Sequence, residues 1–450
     1  MRIFILTVWI GILVSTPVFG AELIQLKILY SGNPGSDRTI EFESFLKKRF
    51  SEVAVTDTSK FTESEVDEFD VVIFDWTRTM DDTGRLRREW RIANPPRLSK
   101  SFSRPAVLIG ETGGRVTSEL NLKLDWLCLC LYDSAHHLKL DHEVFHHPLE
   151  VEPDLQEVPT PEEYPFQSIY LWPSTMKVWK AQSVNYPLAD VGMCHTLYGF
   201  EDSPDAEVFA RGNSMKGPDC VALSRQANFF HWGFSVPPSQ LTDSARRLFV
   251  NAICYIQKFN GAQPLIRKST SPREWALRNA KLPELLTDRY RTMKGKQIRD
   301  EIAISPGLLP ERYMGEIDQF IADQLNWVEP EMRRVLPGDL CEKFGDKVSE
   351  WQTYYRDNFE YLRQGDEPSS FVVDEDAAAL EISNRDAKLL DHCIGLLERQ
   401  QDEALANRVL HRYTGMTYDT PQEWRSWFVK HKDRLFFSDS AGYQFRVRPD

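Results

Sequence analysis

Short apolar runs bounded by turn residues alternate with a helical-period segment through the first quarter of the chain. Leu26-Lys27-Ile28-Leu29-Tyr30 runs into the turn Gly32-Asn33-Pro34-Gly35. Phe42, Phe45, Leu46, Phe50 and Val53 then recur at helical spacing, with Ser36 or Asp37 placed to cap the first turn. Val53-Ala54-Val55, Val71-Val72-Ile73-Phe74 and Ala106-Val107-Leu108-Ile109 predict three further strands. Asp70 and Asp75 bracket the third strand, which is apolar on both faces. The fourth ends in Gly110-Glu111-Thr112-Gly113-Gly114. This order predicts an open parallel sheet with helices on both faces, whose ligand sites lie at the carboxyl ends of the strands.

Beyond it, residues 148–165 are rich in Pro and Glu and read as an exposed loop or insertion. The runs 176–180, 220–223 and 228–233 read as strands. Thr242 caps a helix whose apolar face is Ala245, Leu248, Phe249, Ala252, Ile253 and Ile256, and this helix closes the first domain near Phe259. Gly261-Ala262-Gln263-Pro264 and Ser269-Thr270-Ser271-Pro272 read as a linker. Past it, 314–327, 340–362, 385–399 and 403–413 suit amphipathic helices, and 436–445 suits a terminal hairpin. No fixed repeat period supports a helical solenoid.

At 450 residues and 42% apolar, the chain is long enough for two or three domains with sizeable cores. The expected division is a signal peptide over 1–20, an α/β domain over 21–262 and a mostly α-helical domain over 273–450. Arg2 precedes an apolar run from Ile3 to Val14, and Val18-Phe19-Gly20 places small residues before a cleavage point at Ala21. The run is shorter than the roughly 20 residues of a membrane span. The expectation is a secreted or periplasmic protein with no stable membrane insertion after cleavage. A net charge of −13 argues for solubility and against a general nucleic-acid surface. Seven cysteines form no disulfide framework; Cys128 and Cys130 share one face of a buried strand.

The first domain resembles the trehalose-utilisation (ThuA-like) branch of the class I glutamine amidotransferase-like superfamily. The likeness rests on 28–32, on 69–73, on His147-Pro148-Leu149, and on the Gly233 turn with the helix from Thr242 to Tyr255. It implies an α/β flavodoxin-like three-layer domain ahead of the helical one. Amidotransferases of the superfamily place a nucleophilic Cys at a strand-to-helix elbow. The best-matching turn here has Thr112 at its middle and no His near in sequence, so glutamine hydrolysis is not expected. Where the branch usually shows a His after strand 1, this chain has Asn33-Pro34-Gly35.

Three readings follow. In the first, the protein binds or processes a small polar ligand, carbohydrate among the candidates, at Gly32, Asn33, Glu111, Thr112, His147 and His231, without a cofactor. In the second, the chain is a zinc-dependent hydrolase that uses His142-Glu143-Val144-Phe145-His146, with His142, Glu143 and His146 at the metal. On a helix, H-E-x-x-H puts two imidazoles on one face with the Glu polarising water, although Pro148 stops any helix soon after. In the third, the chain is a scaffold whose helical half binds a protein partner. Cys194 and His195, as neighbours in a strand, are expected to point apart. Tyr170, Trp172, Trp179, Tyr198 and Trp232 enrich one region in rings suited to core packing or sugar stacking.

Overall fold

The computed structural model describes residues 23–76, 96–124, 130–183, 192–214, 216–304 and 306–449. The expected signal peptide and Cys128 lie outside them. The first strands are β1 (Ile24–Gly32), β2 (Phe50–Asp57), β3 (Val71–Trp76) and β4 (Ala106–Ile109). The others of the main sheet are β5 (Leu131–His136), β6 (Leu155–Pro159), β7 (Thr175–Lys180), β8 (His195–Thr196), β9 (Ala206–Ser214), β10 (Cys220–Gln226) and β11 (Phe229–Trp232). Their order is β2-β1-β3-β4-β11-β10-β9-β5-β7-β6, with β8 on β10. The pairs from β2 to β11 are parallel, in the 2-1-3-4-5 order of flavodoxin-like sheets. From β11 to β6 every pair is antiparallel.

Alternate residues of the parallel strands enter two cores, which is why these strands read as unbroken apolar runs. Ile28, Tyr30, Ile73, Val107 and Ile109 pack with α1 (Asp37–Lys47) and with Phe249 of a later helix. Leu29, Val72, Phe74, Ala106 and Leu108 pack on the opposite face with Val116 of α2 (Gly110–Glu119). The short α3 (Tyr164–Gln167) follows β6, and α4 (Asp243–Gln257) is that later helix, capped by Thr242 as expected. The Pro- and Glu-rich segment is exposed, but it is not simply a loop, because its residues 155–159 pair on β7 as an edge strand. Pro and charge at an edge discourage further pairing.

The second half comprises α5 (Glu274–Asn279), α6 (Asp288–Ile304), α7 (Ile317–Leu325), α8 (Val328–Val335), α9 (Gly338–Phe344), α10 (Val348–Asp357), α11 (Glu375–Ala379), α12 (Lys388–Glu398), α13 (Glu403–Thr414) and α14 (Pro421–His431). Two hairpins accompany them: β12 (Leu362–Gln364) with β13 (Phe371–Val373), and β14 (Leu435–Ser438) with β15 (Gln444–Val447). The expected single helix over 340–362 is two helices, α9 and α10, parted at Gly345 with φ +55°.

The expected linker is a docked strap. Leu265 N–H donates to Asp205, Lys268 N–H to the Asn121 carbonyl, and Ser269 N–H to the Ser440 carbonyl. Beside it, the buried Arg273 makes a two-pronged pair with Asp439 (2.8 Å to each oxygen) and donates to Asn384. Removing one partner of a buried pair strands a charge. Asp439→Ala is therefore expected to lower unfolding free energy by about 3–5 kcal/mol in urea titrations. Glu329→Ala, which removes a solvent-exposed partner of Arg333, is expected to leave the midpoint unchanged.

Candidate functional site

The carboxyl ends of β1, β3 and β4 meet where the fold places ligands, and protein atoms fill much of that edge. At Gly32, a Cβ would sit 2.5 Å from the Tyr30 ring and 2.9 Å from Thr39 Oγ1. The exposed Asn33 uses its carbonyl to accept from Ser36, which in turn caps α1 through Thr39 N–H. At the end of β3, Asp75 is 2% exposed and takes both prongs of Arg38 (2.7 and 2.9 Å) and the Tyr30 hydroxyl. Burial, then the Asp75 carboxylate, holds the Tyr30 hydroxyl well above its usual range. This closed cluster was not singled out from the sequence. Its only signal there was a carboxylate directly after an apolar strand.

The strand-to-helix elbow corrects one expectation. The residue with positive φ at the end of β4 is Gly110 (φ +60°), not Thr112. The elbow's sharp corner is therefore held by a residue without a side chain. Thr112 lies inside α2, fully buried, and its hydroxyl has no partner among the described residues. Glu111 falls in the first turn of α2, and its side chain lies outside the described part of the structure.

His231 is a core residue of β11, in register with Leu108. Its Nε2 meets the Met193 carbonyl at 3.2 Å, and burial pushes its pKa from 6.5 down to about 4. His195 stands 5.2 Å away, ring to ring. Its Nδ1 donates to the Thr196 carbonyl (2.9 Å), so its Nε2 accepts from the Ser224 hydroxyl (2.7 Å). The pair has the connectivity of a nucleophile and its base. Ser224 is wholly buried within β10, so the geometry satisfies polar groups rather than meeting a substrate. Cys194 turns the other way, as expected, with its Sγ 3.7 Å from that of Cys130.

The histidine-rich segment forms one 3-10 turn (Glu143–Phe145), not the α-helix that H-E-x-x-H requires. His142 Nδ1 accepts from Val144 N–H, and its ring packs on Phe209 and Tyr255. Glu143 pairs with Lys258. His146 donates from Nδ1 to Glu150 (2.7 Å) and from Nε2 to the Leu140 carbonyl (2.8 Å). The Glu150 contact raises its pKa, and with both nitrogens donating it has no lone pair for a metal. Among the described residues no group of three or more metal-ligating side chains is brought together. His147 is exposed, in a loop held to α4 by Asn251 (2.7–2.9 Å). Lys258 follows α4, and Gly261 N–H reaches the Ser103 carbonyl just ahead of β4. The segment thus borders the amino ends of the parallel strands, across the sheet from Gly32 and Gly110. The six expected ligand residues do not form one site.

A different region has the shape of a site. Residues 160–174 face α6 across a groove of about 1020 Å³ that includes Phe166, Trp172, Asp288, Arg289 and Lys296. On the other side of Trp172 lies a second pocket of about 530 Å³, with His137, Tyr170, Lys177 and Arg211. The half-buried Trp172 ring is held edge-on by His136 (5.2 Å), His137 (5.6 Å) and Tyr164 (5.3 Å). Arg289 lies over the Phe166 ring at 5.1 Å. The α6 side is anchored by Lys281, whose Nζ donates to the Ser168 carbonyl at 2.6 Å. The sequence flagged the tyrosine and tryptophan here but not the groove, because α6 comes from the far half of the chain.

These buried groups have two measurable consequences. Thr112→Val removes an unpartnered buried hydroxyl and is expected to stabilise the fold by about 1 kcal/mol in urea titrations. The neutral histidines set a pH dependence. Burial pushes His136 down to about 3 and His231 to about 4, below the roughly 6.5 of the unfolded chain. The unfolded state then binds more protons, so their contribution is complete above pH ~6.5 and is lost as pH falls toward 4. The expected slope is up to about 1.4 kcal/mol per pH unit for each histidine. Stability measured against pH should show His231→Asn reducing that slope, whatever its effect at pH 7.

No family model matches the chain, and no curated protein matches it. Among solved structures, a putative GMP synthase subunit from Thermoplasma acidophilum is similar over 53% of this chain and 97% of its own. The identity is 13% and the TM-score 0.24. The fold assignment rests on the strand order itself.

Proposed function

We propose that the chain is an exported carbohydrate-binding protein, whose α/β half keeps a ThuA-like layout without glutaminase chemistry. The observation that carries this reading is the groove beside Trp172. Its volume is that of a cleft able to bury a small ligand. An indole face suits the C–H face of a sugar ring, and Asp288, Arg289 and Lys296 supply donors and acceptors for hydroxyls. The absence of a side chain at the Gly110 elbow supports binding over amide hydrolysis there.

Calorimetric titration of the protein with neutral and acidic disaccharides tests the reading. At least one is expected to bind, and Trp172→Ala is expected to weaken it about tenfold, a loss of about 1.4 kcal/mol. Trp327→Ala, at a half-exposed tryptophan on α8's amino side, should leave the affinity unchanged. Failure of every saccharide, or an unaltered affinity in Trp172→Ala, would sink the proposal.

A further inference from the structure

The pocket on the β side of Trp172 has a charge character at odds with the chain around it. The protein carries a net charge of −13, yet the residues around this pocket include Arg211 and Lys177 and no carboxylate. Arg211 lies on β9, directly opposite His136 of β5. Its guanidinium is laid over the Tyr170 ring at 5.2 Å. Among the described residues it has no hydrogen-bonded or ion-paired partner. Tyr170 is 42% exposed, so the stacked guanidinium is held at the rim with its donors unused.

The nearby carboxylates are otherwise engaged. Asp219 accepts from Ser168 Oγ (2.8 Å), Ile169 N–H (2.9 Å) and Tyr198 OH (2.6 Å). Glu157, opposite Lys177 in the β6–β7 register, takes the Thr175 hydroxyl at 2.6 Å. Burial holds Glu274, which also acts on Tyr170, up at about 7.

His137 adds a third polar group with a defined tautomer. His136 Nε2 meets the Gly212 carbonyl at 3.1 Å and therefore carries the hydrogen. Its Nδ1 is then an acceptor, and His137 Nδ1 donates to it at 2.6 Å. His137 Nε2 is left without a partner among the described residues. The backbone at His137 has φ +48°, an uncommon conformation for a residue with a side chain. Strained residues of this kind are over-represented in binding sites.

We propose that this pocket is an anion subsite, in which Arg211 and Lys177 bind the carboxylate of an acidic sugar whose ring stacks against Trp172 and one of whose hydroxyls donates to His137 Nε2. The inference rests on the carbohydrate reading above and specifies the saccharide. Arg211 presents a planar fork suited to a carboxylate, and Lys177 supplies a flexible second charge. A sulfate or phosphate ester shares the charge but not the planar geometry.

Matched titrations of the full chain with digalacturonate and galactobiose test the proposal. Digalacturonate is expected to bind about tenfold or more tightly, with an affinity that falls as salt rises. Arg211→Gln should erase that preference while galactobiose binding persists. Lys177→Gln, at an exposed position that tolerates change, should reduce the preference and covers the case in which Arg211→Gln fails to fold. Equal affinity for the two sugars overturns the anion subsite and leaves the carbohydrate reading standing. Binding of neither overturns both. Galactose 6-phosphate bound more tightly than galacturonate would overturn the carboxylate assignment in favour of an ester.

Discussion

The carboxylate of Asp202 ties the two halves of the chain together. One oxygen takes the buried ammonium of Lys123 at 2.8 Å, and the other takes the Ser438 hydroxyl (2.9 Å) and the Ser440 amide (3.0 Å). Lys123 also donates to Ser203 Oγ and to the Phe200 carbonyl, so each of its three protons has an acceptor. The Arg273–Asp439 pair lies one residue from these contacts. Buried pairs of this sort add little net stability over apolar packing, yet breaking them is costly, so their effect is to permit one arrangement. That arrangement fixes where the chain enters α5 and α6. The α6 wall of the groove therefore depends on contacts made by the last hairpin, far from it in sequence.

The same economy explains why the strand ends offer few free polar groups. At the carboxyl edge of the parallel sheet the polar groups neutralise one another: Arg38 and Tyr30 satisfy Asp75, and Ser31 meets Thr58 at 3.0 Å. The histidines of the central strands are satisfied by backbone carbonyls and Ser224. Groups already satisfied in the dry interior gain little from a ligand. Beside Trp172 the antiparallel extension meets α6 instead, and there the Arg211 guanidinium and His137 Nε2 have no hydrogen-bond partner among the described residues.

The parallel core was legible because strands buried on both faces leave apolar runs that no other structure explains, as at 71–74 and 106–109. The Thr242 cap and the terminal hairpin were legible for similarly local reasons. β9 was not, because its second half reads Ala-Arg-Gly-Asn-Ser, and neighbouring strands rather than its own pattern make it a strand. α6 was missed because only Tyr290, Gly295 and Ile298 of its residues are buried. The site was the least legible feature. H-E-x-x-H carries information only on a helix, and Pro148 already argued against one. Conversely, Arg211 lies some forty residues along the chain from Tyr170 and Trp172 and comes over the Tyr170 ring only in the folded structure.

Five of the ten histidines lie within residues 136–147, yet sequence proximity does not make them one functional group. His136 ends β5 and turns to His137 and Trp172, whereas His142 and His146 lie past the turn, against Phe209, Tyr255 and Glu150. The sheet register sorts them, and of these five only His137 lines the pocket beside Trp172. Charge is sorted in the same way. At physiological salt a charge is felt over about 8 Å, so the chain's net negative charge does not decide what enters a pocket. The side chains within that radius decide it. The pocket beside Trp172 is lined by a stacked arginine, a lysine and a histidine whose proton is placed by its neighbour, while the nearby Asp219 and Glu157 carboxylates are taken up by other donors. The chain's overall acidity then disfavours loose accumulation of small anions elsewhere on its surface. In the proposed subsite, an anion that also offers a ring to Trp172 would gain both contacts, and a free inorganic anion only one.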